Sequence, residues 1–358
     1  MTGLGNGRLG QAPELGTNLA VAVMTFADAL NETEGLARDV LLGNGFSIAA
    51  HPPFAYGGLL EAADIAAEVR AIFAAARSTN FEAVMRYWLA EAFDAPPNGR
   101  AEARSKVETL KRALVEAVHR VHPARRTAIS PARWTHCEQF LVNFIGRARE
   151  KQRLGGRIFT TNYDLLLWWA ITPDRGRMKP DKLFKGHDGF RQRQFEGFES
   201  ADLIYLHGAL HLFTAGQSIT KLEYSDAEGA LHDQVERRLR AGAYPVFVSE
   251  GASTLKRPTG PGYLRGALTK FKYTTRSPDR ALFTLGHGLG TEDDHILQEV
   301  KAGKIGRVYL GAHGPAEIDV FKPVAQSWID ARSSANKPPL EISIYDSTDV
   351  VWGPSPRA

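Results

Sequence analysis

The chain has 358 residues, 43% of them hydrophobic, enough to bury a large core in one elaborated domain or two. Its net charge of +4 is too weak to signal nucleic acid and is compatible with an anionic small molecule. The one cysteine, Cys137, excludes an internal disulfide and any zinc site built from several thiolates, and reads as a small buried core residue.

Residues 1–16 are glycine-rich and polar and read as a loose tail. Asn18 to Leu30 can form a first helix. Its sequence NLAVAVMTFADAL contains Asp28 and is too short for a membrane span, and no export signal is visible, so a cytoplasmic location is expected. Asp39 to Ser47 (DVLLGNGFS) reads as a buried strand running into a glycine-bearing turn. Pro52 and Pro53 break the chain, and helical periodicity then continues almost without interruption to Glu150, which predicts a large helical insert. Arg157 to Thr161 is a short β-branched strand. Asp164 suits a helix N-cap or first turn before the apolar helical segment Leu165 to Ala170. The polar, aromatic-dotted stretch FKGHDGFRQRQFEGFE reads as a loop or lid, and ADLIYLHGALHLF as a strand ending near His207. After it YPVFVSEG, ALFTLGHGLG, RVYLGAHG and LEISIYDS read as strands, alternating with helices in GYLRGALTKF, DDHILQEVKAG and DVFKPVAQSWIDARSS. That alternation predicts an α/β fold with a mostly parallel sheet and helices on both faces. The expected division is a tail and helix over 1–35, a core over 36–60 and 154–358, and the insert over 61–153.

Asn162 and Asp164 thus fall at the carboxyl end of a strand, the edge where open α/β sheets bind ligands. Gly43-Asn44-Gly45 follows the first strand like a dinucleotide fingerprint, with Ile48 in place of the third glycine; a simple tight turn reads equally well. The chain contains no GxxxxGK[ST] phosphate loop and no GxSxG serine elbow. His207 is either a structural histidine or a general base. Its spacing to His211 also permits a metal site completed by His295 or Asp293, which the HGA break in the helix argues against. Glu292, Asp293 and Asp294 suit a helix N-terminus. Arg120, Arg125, Arg126 and Arg133 read as a solvated surface, and Trp168 and Trp169 as core or pocket wall.

In this order, GNGFS, TTNYD, LHG and LGHGL resemble the motifs of the sirtuin-like NAD-consuming superfamily. TTNYDLLLWWA, YLHGALHLF, FVSEG and DDHIL are more closely similar to a bacterial branch of it known only as a domain of unknown function. The resemblance implies a Rossmann-like core with NAD as substrate. Gly43, Gly45 and Ser47 would line the phosphates, with Asn44, Phe46 and Thr161 beside them. Gly286, His287 and Gly288 would sit by the adenosine half. Asn162 would orient the nicotinamide ribose and the nucleophile, Asp164 would hold the carboxamide, and His207 would act as base. The chain departs from the deacylases in lacking their four-cysteine zinc ribbon and the arginine after the first motif. Thr161 and Tyr163 stand for Gln and Ile, and Asn44 and Phe46 for Ala and Ile. The expected activity is therefore NAD glycohydrolysis, giving nicotinamide and ADP-ribose or a cyclised product, of the kind used in bacterial defence against phage. The alternative is a non-catalytic NAD or ADP-ribose sensor or partner subunit. No metal, membrane or nucleic-acid partner is expected, and a homo-oligomer is compatible with the sequence.

Overall fold

A computed structural model describes residues 21–146, 154–172, 187–216, 218–247 and 262–354. The chain enters through β1 (Ala22–Met24) and α1 (Phe26–Glu32), followed by β2 (Ala37–Leu42) and α2 (Asn44–Ala50). Five helices come next: α3 (Tyr56–Ala62), α4 (Ala67–Ala75), α5 (Phe81–Glu91), α6 (Pro97–Val121) and α7 (Pro131–Ile145). They lead to β3 (Ile158–Thr160) and α8 (Leu166–Ile171). A run of short strands follows, β4 (Phe190–Arg191), β5 (Gln194–Phe195), β6 (Leu203–Tyr205), β7 (Leu212–Ala215) and β8 (Ser218–Lys221). The remainder is α9 (Leu231–Arg240), α10 (Gly262–Thr275), β9 (Arg280–Leu285), α11 (Asp294–Ala302), β10 (Arg307–Ala312), α12 (Gly314–Ser334) and β11 (Glu341–Asp346).

Seven strands form one sheet in the order β1-β11-β10-β9-β2-β3-β6, and every neighbouring pair is parallel. Its central strands are apolar because both faces are covered: Val40, Leu41, Leu42, Ile158, Phe159, Leu282 and Phe283 are fully buried. This is the Rossmann-like architecture that the alternation implies. The described helices between β2 and β3 share one hydrophobic cluster with the sheet, from Phe73 and Leu114 through to Leu41. Cys137 is buried in that cluster. At the opposite strand edge from the site, Asp39 is fully buried and takes Arg280 Nε and Nη2 at 2.6 and 2.5 Å and Arg157 N at 2.8 Å. Among the described residues no helix is long and apolar enough to cross a membrane.

Three local readings change. The first helix starts later than expected, because a capping box between Thr25 and Asp28 opens α1 and leaves Ala22–Met24 extended as a strand beside β11. The GNGFS motif is no loop: the helix α2 begins at Asn44, directly after Gly43. The stretch read as a loop or lid contains β4 and β5, which join β8 and β7 in a second, antiparallel sheet ordered β4-β5-β8-β7. YPVFVSEG contributes only a bridge between Phe247 and Gly208 within the described residues; FVSEG beyond Phe247 lies outside them.

Of the arginines read as a solvated surface, Arg120 and Arg125 are exposed and Arg126 and Arg133 are half-buried, and all four also tie elements together. Arg126 lies over Trp134, with its guanidinium carbon 4.4 Å from the ring centroid, and donates to Trp169 O at 3.1 Å. Arg133 donates to Ala50 O at 2.9 Å, Arg120 to Ala62 O, and Arg125 to Asp233 at 2.9 Å.

Candidate functional site

The chain runs from β2 to β3 and β6 on one side of the sheet and from β9 to β10 and β11 on the other. The topology therefore reverses between β2 and β9, the place where open α/β sheets leave a crevice beyond the strand ends. Gly43 and Gly286 meet there. Gly43 N donates to Leu285 O at 3.0 Å and Gly45 N to Gly286 O at 2.8 Å. A Cβ on Gly43 would lie 2.5 Å from Gly286 O, and one on Gly45 would lie 2.6 Å from Gly286 Cα. Gly286 itself has φ of +63°, a conformation that favours glycine. These three glycines are thus required by loop-on-loop packing. Gly288 differs, since a Cβ there would meet open space.

A cavity of about 310 Å³ opens over this junction, lined from the ends of β2, β3, β6 and β9. Asn162 sits in its wall, just past β3. Its Nδ2 donates to Gly43 O at 3.0 Å and to Ser47 Oγ at 2.8 Å, and its main-chain N donates to Thr160 Oγ1 at 3.0 Å. The Ser47 hydroxyl donates in turn to Asp164 Oδ2 at 2.5 Å, while Asp164 Oδ1 accepts from Leu166 N at 2.8 Å. With both amide hydrogens committed, Asn162 offers its carbonyl oxygen to a ligand. Burial pushes the Asp164 carboxyl above the usual carboxylate range, partly offset by the Ser47 and Leu166 hydrogen bonds.

His207, just past β6, lines the same cavity and is 3% exposed. Its Nε2 lies 3.2 Å from His295 Nε2 and 3.5 Å from Asp293 Oδ1. The other carboxylate oxygen of Asp293 is 3.2 Å from His287 Nε2. Leu289 N donates to His287 Nδ1 at 3.1 Å, while His287 Nε2, close as it is to Asp293, makes no hydrogen bond among the described residues. Asp293 and His295 entered the sequence reading only as alternative third ligands of a disfavoured His207/His211 metal site, and the structure brings both to His207. The run of three acids before α11 reads as helix-dipole compensation, and nothing local marks the middle one as the acid that reaches His207.

The helices between β2 and β3 supply the roof. Tyr56, Leu59, Asn80, Glu82, Leu114 and Val118 line the cavity, and Asn80 Nδ2 donates to Glu292 Oε1 at 3.4 Å. Glu82, Asp164, Glu292 and Asp293 put four carboxyl groups on its wall, and among the described residues no lysine or arginine lines it. Of the positions expected at NAD, Gly43, Asn44, Thr161, Asn162, Asp164, His207, Gly286, His287 and Gly288 line the cavity. Gly45, Phe46 and Ser47 lie behind it. Gly45 packs on Gly286, Phe46 is buried 5.2 Å from the Trp352 ring, and Ser47 braces Asn162 and Asp164. His211 belongs elsewhere: it is fully buried, with its ring 5.1 Å from that of Trp168. Trp168 also lies under Lys221, so it is core and wall of a different region.

The profile of the family described as Domain of unknown function (DUF4917) matches residues 40–352. No curated protein matches the chain. Among solved structures the chain is similar to a mutant Sir2 homologue in complex with ADP-ribose, at 13% identity and a TM-score of 0.34, over 86% of this chain and 97% of that one. The likeness is distant.

Proposed function

The chain belongs to the family described as Domain of unknown function (DUF4917), and for this member we propose NAD glycohydrolysis: cleavage of the nicotinamide–ribose bond to nicotinamide and ADP-ribose or its cyclised form. The observation that carries the reading is the pairing of a braced Asn162 and a buried His207 on one cavity that four carboxyl groups line. Nicotinamide in NAD is a cationic leaving group, and the departing ribosyl develops oxocarbenium character. A wall of carboxyl groups suits positive charge at that centre. Asn162, locked by Gly43 O and Ser47, is placed to fix the ribose and a water, and His207 to take the proton. The defence role implied by the sequence resemblance would follow from NAD depletion.

A sensor that binds NAD or ADP-ribose without turnover is the second reading. It is favoured by His207 Nε2 lying already against His295 and Asp293. One experiment separates the two: the purified chain is incubated with NAD and chelator, and products are resolved by chromatography. Release of nicotinamide is expected, falling by about 10²–10⁴-fold in His207→Ala, the usual worth of a general base, and comparably in Asn162→Ala. Binding without product would establish the sensor, and undiminished turnover in both variants would place the chemistry elsewhere.

A further inference from the structure

We propose that His207, Asp293 and His295 form a binding site for a divalent transition-metal ion of the zinc class, with His287 orienting the carboxylate. One ligand atom from each of the three lies within 4.8 Å of the other two. Two ligands about 2.0–2.1 Å from an ion at a tetrahedral angle stand about 3.3–3.4 Å apart. The separations from His207 Nε2, 3.2 Å to His295 Nε2 and 3.5 Å to Asp293 Oδ1, bracket that value. Two imidazoles and a carboxylate are the donors that zinc and its neighbours prefer.

The surroundings fit as well. A ligating carboxylate needs its second oxygen held, and His287 Nε2, buried and without a hydrogen-bond partner among the described residues, lies 3.2 Å from Asp293 Oδ2, within reach once an ion fixes the carboxylate. Glu82 and Glu292 line the same cavity, so the local field favours a cation. His207 and Asp293 both line the cavity, which leaves the remaining coordination position facing it. The expectation of a metal-free site rested on the HGA break between His207 and His211, and the fold replaces that pair with His207/His295. An ion here would occupy the Nε2 lone pair of His207. Metal binding and the base role in the preceding reading therefore exclude one another, and the ion acts as a brake.

The test uses the full chain, stripped with chelator and titrated with Zn²⁺ alone by calorimetry and with Co²⁺ alone by visible absorption. One equivalent per chain is expected, with the absorption of a low-coordinate cobalt centre. Affinity should fall at least tenfold in His295→Ala and in Asp293→Asn, and roughly 10–100-fold in His287→Gln, as for other outer-shell partners. His211→Phe, remote from the trio, should bind as the parent does. Melting curves of each variant separate lost ligation from lost folding. Absence of a stoichiometric site in the parent, or unchanged affinity in folded His295→Ala, would overturn the proposal. No NAD is present in these titrations, so failure of the glycohydrolase reading leaves their outcome intact.

Discussion

Asp164 shows how one side chain ties the site to the stability of the whole. Its carboxyl is buried and held above the usual range, so its folded pKa exceeds the unfolded value of about 3.9. The sign follows: its contribution to stability is full below that value and is lost as pH rises through the folded pKa. Asp164→Asn should therefore gain melting temperature relative to the parent as pH climbs from 4 to 7, measured by thermal denaturation; a constant difference would refute the assignment. His211 works in the opposite direction. Burial holds its pKa down at about 3, and among the described residues its ring nitrogens have no hydrogen-bond partner. Stability is present above the unfolded value of about 6.5 and is lost as pH falls below it. His211→Phe keeps the stacking on Trp168, and should be neutral at pH 7.5 and about 2 kcal/mol stabilising at pH 5, read from urea titrations. Truncation to Ala would instead open a cavity in a fully buried place. At this scale Asn162 and Asp164 were legible, because a β-branched run followed by an amide, an acid and an apolar helix fixes them at a strand end. Asp293 and His295 were reachable only as alternatives for one ligand position, since His207 lies 88 residues away from His295 and no local pattern says that both meet it.

The glycines after β2 and β9 were legible as strand ends, but the helix that opens at Asn44 and the cause of the glycines were not. From sequence, the glycines make room for a ligand; in the fold, Gly43, Gly45 and Gly286 make room for each other's backbone. Gly45→Ala should consequently lower stability by about 1–3 kcal/mol through overpacking, even with no ligand present. Gly288→Ala, with open space around it, should leave the denaturation midpoint in place. Equal effects in the two variants would show that the packing account is wrong. The second sheet escaped sequence reading for a related reason. β4 and β5 have two residues each, and their turn uses Gln192 and Arg193 at φ of 45° and 69°, so neither length nor a glycine turn announces a hairpin. Similarly, β1 merged with α1 in an apolar run because only the Thr25 cap separates them.

Over the whole molecule, the parallel sheet was readable because strands buried on both faces must be apolar throughout, and strand order was not, because it is set by crossovers. That order decides the character of the cavity: a chain of net charge +4 gathers four carboxyl groups, and among the described residues no lysine or arginine, around one hollow. If the pyridinium charge is what the wall reads, NAD should bind the His207→Ala variant several-fold more tightly than NADH, whose ring is neutral. The gap should narrow as salt screens the carboxylates. Calorimetry with both nucleotides decides it, and equal affinities would dissociate the wall from charge selection. The placement of the helical insert has a consequence of another kind, in time. β2, the strand at the centre of the sheet, meets β3 across 118 residues and β9 across 241. On a growing chain, the β3 edge of β2 waits through the whole helical insert, and the β9 edge waits until most of the sequence after β2 has been made. Closing such distant pairs is slow, and until then an apolar strand is open to partners from other chains. The helices that follow β2 in sequence are available first, so the roof of the cavity also serves as the nascent strand's earliest cover.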